Sequence, residues 1–182
     1  MRGRLIALIV LPAALSAAGA AAGGDRPGSP AIQAARAQDL AARLLAAHNR
    51  ERTAVRVPPL RWDPALADAA AGYAPRLAAL GRLEHSPRNA RPGQSENLWM
   101  GSAGAYSPEQ MVANWAREKS WFRPGVFPNV SSTGDWMAVS HYTQMIWPTT
   151  TSVGCAVHRR GRNDYLVCRY APRGNQDGRR VP

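Results

Sequence analysis

The sequence predicts an α+β domain with a mainly antiparallel sheet. Three observations predict it. Apolar residues recur at helical spacing through the first half of the chain. Two short alternating runs, each carrying a cysteine, close it around a turn. The stretch between is crowded with Gly and Pro. With 182 residues, no internal repeat and two cysteines, the chain suits one buried core and is neither a disulfide-dense miniprotein nor a Cys-only zinc module.

Arg2 and Arg4 precede an apolar run from Leu5 to Leu15, and small residues follow at Ala18-Gly19-Ala20 and Ala20-Ala21-Ala22. This order reads as a signal peptide over residues 1–22 and hence export, extracellular or periplasmic. The run is shorter than the roughly 20 residues of a membrane span, and nothing later is as apolar, so no transmembrane segment is expected. Residues 23–35 read as a flexible leader, Gly23 to Pro30 being rich in Gly, Pro and Ser, and residues 36–182 as the domain.

Helical periodicity begins near Gln33, with Leu40, Leu44, Ala47 and Glu51 on one face and Ala41, Leu45 and His48 beside it. Pro58-Pro59 closes that region. Asp63-Pro64 reads as a helix cap followed by Pro at the first helical position, and Leu66, Ala70, Tyr73 and Leu77 continue at helical spacing. Pro75 predicts a kink or break there, and Gly81 the end. Asn97 to Met100 reads as a short strand within the turn-rich residues 85–106. Ser107-Pro108-Glu109-Gln110 is a capping box that starts a helix running to about Trp121. Residues 123–136 read as a long loop, and His141 to Trp147 as an alternating strand. The runs Val153–Val157 and Tyr165–Tyr170 flank a turn at Gly161-Arg162-Asn163-Asp164. A hairpin there sets Cys155 opposite Cys168, and export permits the disulfide.

The formal charge is +11, and +9 once Arg2 and Arg4 are removed. Every basic residue except Lys119 is arginine. A basic surface favours an anionic cell-surface component. The arginines are scattered, and with no basic helical stripe or nucleic-acid motif, no nucleic-acid partner is expected. The motifs of zinc peptidases, serine hydrolases, P-loop nucleotide enzymes and dinucleotide enzymes are absent. Histidine and glutamate remain as chemistry-bearing residues. Met111, Trp115 and Glu118 share a helix face, so Glu118 either meets a buried partner or lies at the rim of the apolar stripe. His85, Glu96 and His141 stand alone in local sequence, and only the fold can gather them.

Several segments, in order, resemble one family. His48-Asn49-Arg50-Glu51-Arg52 resembles its first-helix His-Asn-x-x-Arg, and Ser95-Glu96-Asn97-Leu98 its Gly-Glu-Asn-Leu. Trp115-Ala116-Arg117-Glu118 resembles its Trp-x-x-Glu, and His141 to Trp147 its His-Tyr-Thr-Gln-x-x-Trp. Gly154-Cys155-Ala156 and Cys168 to Asn175 resemble its closing strands. The family is the CAP superfamily of SCP-like extracellular proteins, which includes cysteine-rich secretory proteins, insect venom antigen 5 and plant pathogenesis-related proteins. The Ala- and Arg-rich composition suggests a bacterial, single-domain member.

The resemblance implies an α-β-α sandwich around an antiparallel sheet. It also implies that His85, Glu96, Glu118 and His141 form a cleft tetrad, with Glu118 inward and paired. By the same resemblance, His85 and His141 would ligate zinc or another divalent cation, with Glu96 and Glu118 in support. Acid would weaken such binding by protonating imidazole. The implied activity is binding of a lipid or sterol-like ligand or of a cell-surface component. Metal-dependent, peptidase-like hydrolysis and a purely structural tetrad are the alternatives; no catalytic residue is established, and oligomeric state is left open. Trp99, Trp121, Trp136 and Trp147 offer apolar surface. Ser95 and Ser140 stand where the family pattern has Gly, which would alter the loops if those positions required positive φ.

Overall fold

The computed structural model describes residues 29–182. The expected signal peptide, and the leader as far as residue 28, lie outside the described residues. Ten elements follow: α1 (Pro30–Ala54), β1 (Arg61–Trp62), α2 (Pro64–Leu80), β2 (Ser95–Ser102), α3 (Pro108–Ala116), β3 (Gly125–Val126), α4 (Ser140–Met145), β4 (Ser152–Arg160), β5 (Asn163–Ala171) and β6 (Arg180–Val181). Short 3₁₀ turns occupy Arg88–Ala90, Arg117–Ser120 and Trp136–Val139.

The main sheet has the order β1-β4-β5-β2, with β1 parallel to β4 and the other pairs antiparallel. Gly161 and Arg162 turn the β4–β5 hairpin, Gly161 at φ 58°, which suits the two-residue turn of a twisted hairpin. Cys155 pairs with Cys168 in register and the two are disulfide-bonded. A second, two-stranded sheet joins β3, inside the region read as a loop, to β6 at Arg180–Val181.

Alternation along β5 builds both cores. Tyr165 and Val167 face α2, packing with Ala70, Tyr73, Leu77 and Leu98. Leu166, Cys168 and Tyr170 face the opposite layer, packing with Leu44, Ala47, Met111, Trp115 and Met145 of α1, α3 and α4. The molecule is therefore a helix–sheet–helix sandwich, as the sequence implied.

The capping signals act as read. Asp63 accepts from the backbone N–H of Ala65 and Leu66, and Gly81 ends α2 in the left-handed conformation at φ 66°. Ser107 and Gln110 form the reciprocal capping box. Helix α3 ends at Ala116 and its 3₁₀ extension carries the chain to Ser120, close to the expected end at Trp121.

Four readings change. Helix α1 starts at Pro30, with Ser29 accepting from Ile32 N–H, so residues 30–35 are helical rather than leader. Helix α2 runs through Pro75 unbroken. Pro75 and Ala71 are both exposed, so the carbonyl that loses its partner faces water. Residues His141 to Trp147 are not a strand: helix α4 fills Ser140–Met145. Ser95 and Ser140 have no positive φ, Ser140 lying at −65°, so neither position requires Gly.

Candidate functional site

Strand β2 organises the site through its alternation. Glu96 faces the α2 side of the sheet and Asn97 the opposite side, so neighbouring residues serve two different histidines. Glu96 is fully buried and accepts from His85 Nδ1 at 2.8 Å, Ser86 N–H at 3.0 Å and the Ser86 hydroxyl at 3.1 Å. Arg169, directly opposite on β5, adds a guanidinium at 3.0 Å and lies over the Tyr73 ring. Burial alone would raise the Glu96 carboxyl. The His85 hydrogen bond, the Arg169 charge and the Ser86 N–H outweigh it and hold Glu96 below the ordinary carboxylate range. His85 itself, in the turn after α2, is half-exposed.

The second pair lies on the other side of the sheet. Glu118, in the 3₁₀ extension of α3, accepts from His141 Nδ1 at 2.5 Å. Its other oxygen accepts the backbone N–H of His141 and of Tyr142, at 2.9 and 3.0 Å. Those are two of the first-turn donors of α4 that no intrahelical carbonyl can serve. A carboxylate 23 residues away thus caps the helix. Trp115, one helical turn before Glu118, lies parallel to the His141 ring with centroids 6.1 Å apart, and donates its indole N–H to the Leu98 carbonyl.

Behind His141 runs a buried polar chain. The Asn97 amide donates to the His141 carbonyl and to the Tyr170 hydroxyl, both at 3.1 Å. Tyr170 meets His48 Nε2 at 2.8 Å, while His48 Nδ1 meets the Leu44 carbonyl at 2.7 Å. A carbonyl only accepts, so Nδ1 carries the proton and Tyr170 donates to Nε2. At the other end of α4, Arg52 donates to the carbonyls of Met145, Trp147 and Thr150, each at 2.9 Å, and to that of Pro58. Spacing alone gave no hint of Asn97, Tyr170, His48 or Arg52 as supports. Their presence in the quoted motifs was the available signal.

His85, Glu96 and His141 line one cleft of about 1020 Å³, with Glu118 behind His141. Each histidine commits Nδ1 to its glutamate, and Nε2 makes no hydrogen bond among the described residues. The carboxylates are engaged elsewhere. Accordingly, no group of three or more His, Cys, Asp or Glu side chains among the described residues can share an ion. Two imidazole nitrogens are the uncommitted donors that remain, a set that would make, with water, a weaker site than a three-ligand zinc centre if both met one ion. Of the four tryptophans expected to offer apolar surface, Trp99 and Trp147 are buried, whereas Trp121 and Trp136 are exposed.

Comparison with known proteins identifies the family and agrees with the fold. A maize (Zea mays) pathogenesis-related protein, PRMS, is 37% identical over 137 residues, covering 74% of this chain and 77% of that one. A secreted protein of Candida albicans, RBT4, is 31% identical over 161 residues, covering 86% of this chain and 41% of its own length. The crystal structure of NaASP2 with Zn²⁺ superposes with a TM-score of 0.67 at 26% identity, covering 79% of this chain and 84% of that chain. No helix of the described residues is long and apolar enough to cross a membrane. The model of the cysteine-rich secretory protein family, CAP, matches residues 45–170, and the chain belongs to that family.

Proposed function

We propose that the chain is an exported binding protein whose His/Glu cleft takes a cell-surface ligand and is able to hold a divalent cation. The observation that carries this reading is the cleft itself. It is open and roomy, and its two imidazoles are oriented through Nδ1 by the buried Glu96 and the partly buried Glu118, which leaves each Nε2 uncommitted. A cation, when bound, would be held by His85 and His141 and would supply a positive centre for an anionic group. Glu96 and Glu118 orient the rings. The zinc in the NaASP2 crystal structure supports testing this metal first.

A lipid-like ligand is the second reading, favoured by a separate groove of about 640 Å³ between α1 and α2. Leu40, Leu45, Trp62 and Val157 line it, and it is mainly apolar. The two readings, and hydrolysis, separate in one set of measurements. Adsorption to cell-envelope fractions and to phosphatidylglycerol vesicles is measured for the wild type, His85→Ala and Leu45→Glu. Saturable adsorption that falls at least tenfold in His85→Ala supports the cleft. Adsorption unchanged in His85→Ala but lost in Leu45→Glu transfers the activity to the groove. Metal-dependent turnover of a peptide or ester library, abolished by Glu118→Gln in a folded protein, would replace binding by hydrolysis.

A further inference from the structure

The cleft carries more charge than its histidines need. Arg88, Arg91 and Arg173 line it, against Glu96 and Asp177. Glu96 is already committed to Arg169 and His85. Arg91 gives Nε to the Ser86 carbonyl and Nη1 to that of Gln94. The guanidinium groups of Arg88 and Arg173 make no hydrogen bond or ion pair among the described residues. Asp177 offsets one of the three arginines, so the cleft stays positive in sum, and guanidinium groups form bidentate pairs with carboxylates and phosphates.

The second observation is aromatic. Trp136 lines the same cleft and is 40% exposed. Its ring is braced by Phe127, edge to face at 5.2 Å, and the buried Phe127 is braced in turn by Trp147 at 5.8 Å. Asp135 fixes the backbone beneath it by accepting from Met137 N–H. A large, rigid indole held open to water beside arginines is an amphipathic platform. A simple anion makes no use of it, and an acyl chain has the apolar groove elsewhere. A sugar ring uses both features, laying its C–H face on the indole while its substituents reach polar groups. At about 1020 Å³ the cleft is at the upper end of small-ligand sites, which suits several linked sugars better than one.

We propose that the cleft binds an acidic polysaccharide, with one ring stacked on Trp136 and neighbouring carboxylates paired with Arg88 and Arg173. This rests on the cleft reading above and names its ligand class.

The test titrates the disulfide-intact protein with a galacturonate pentamer, a neutral galactose pentamer and a glutamate pentamer, by calorimetry and by NMR of the indole N–H signals. The expected result is saturable binding of the galacturonate pentamer alone, with the Trp136 signal shifted. Trp136→Ala should weaken it at least tenfold, and Trp136→Phe should restore part of the loss. Arg88→Ala and Arg173→Ala should each weaken it and flatten its salt dependence. Absence of binding overturns the proposal, as does equal binding of the glutamate pentamer or full affinity in Trp136→Ala. If envelope adsorption still depends on His85 in that case, the cleft reading stands and only the glycan assignment falls. If both fail, both readings fall.

Discussion

His48 is the residue whose environment differs most from its place in the sequence pattern, where it flanks an apolar helix face. Burial pushes its imidazole down to about 4, against the Leu44 hydrogen bond and with the help of the Arg52 charge. The ordinary value, near 6.5, applies to the unfolded chain. Above that pH neither state binds a proton at this site. Between about 6.5 and 4 only the unfolded chain does, so stability falls as pH falls, by up to about 3 kcal/mol. Glu96, held below the ordinary carboxylate range, adds its own loss only at lower pH. Urea midpoints measured from pH 8 to pH 4 should therefore decline in the wild type and decline less in His48→Gln. An identical slope in the variant would assign the effect to another group.

At the scale of elements, the close approach of α2 to β4 sets the tightest constraint. Asp63 donates its N–H to the Val153 carbonyl and caps α2, which brings the helix start onto the strand. A Cβ on Gly154 would meet the backbone nitrogen of Ala67 and the carbonyl of Asp63. Backbone cannot rotate away as a side chain can. Gly154→Ala should lower unfolding free energy by about 2–3 kcal/mol in chemical denaturation. An effect under about 0.5 kcal/mol would mean that the helix start moves freely. The misread strand belongs at this scale too. Tyr142, Thr143, Ile146 and Trp147 are residue types that strands favour, which is what suggested a strand, but the segment is buried continuously from Tyr142 to Trp147 rather than on alternate residues. Helix wins because Glu118 and Arg52 serve its end groups, and both lie outside any local window.

For the whole molecule, the α+β class and the hairpin were legible because their signals are local: caps at Asp63 and Ser107, a turn at Gly161, two cysteines at mirrored positions; the three-layer sandwich came only from the family resemblance. The site was not legible from spacing. Its four members come from a turn, a strand, a 3₁₀ extension and a short helix, on opposite sides of one sheet. Only the motif resemblance joined them, and the arginines and Trp136 of the same cleft lie in no quoted motif except Arg173. The disulfide ties β4 to β5 at a point where the ladder already pairs nine residues with nine. Its removal, by Cys155→Ala with Cys168→Ala, should cost about 3 kcal/mol through the unfolded chain. The Trp136 and His141 NMR signals should stay unchanged. Displacement of those signals would show that the bond shapes the cleft as well.

Helix α4 is held at both ends by side chains that belong to other elements. Its own sequence is thereby released from the task of being helical. Ser140 and His141, which line the cleft from this helix, are placed there by Glu118 and Arg52 rather than by their own helical preference, whereas Gln144 is itself tied to the Gly174 N–H. Much of what preserves the recognising segment therefore lies on other parts of the chain. Such a division lets one scaffold acquire new specificities without first losing its fold.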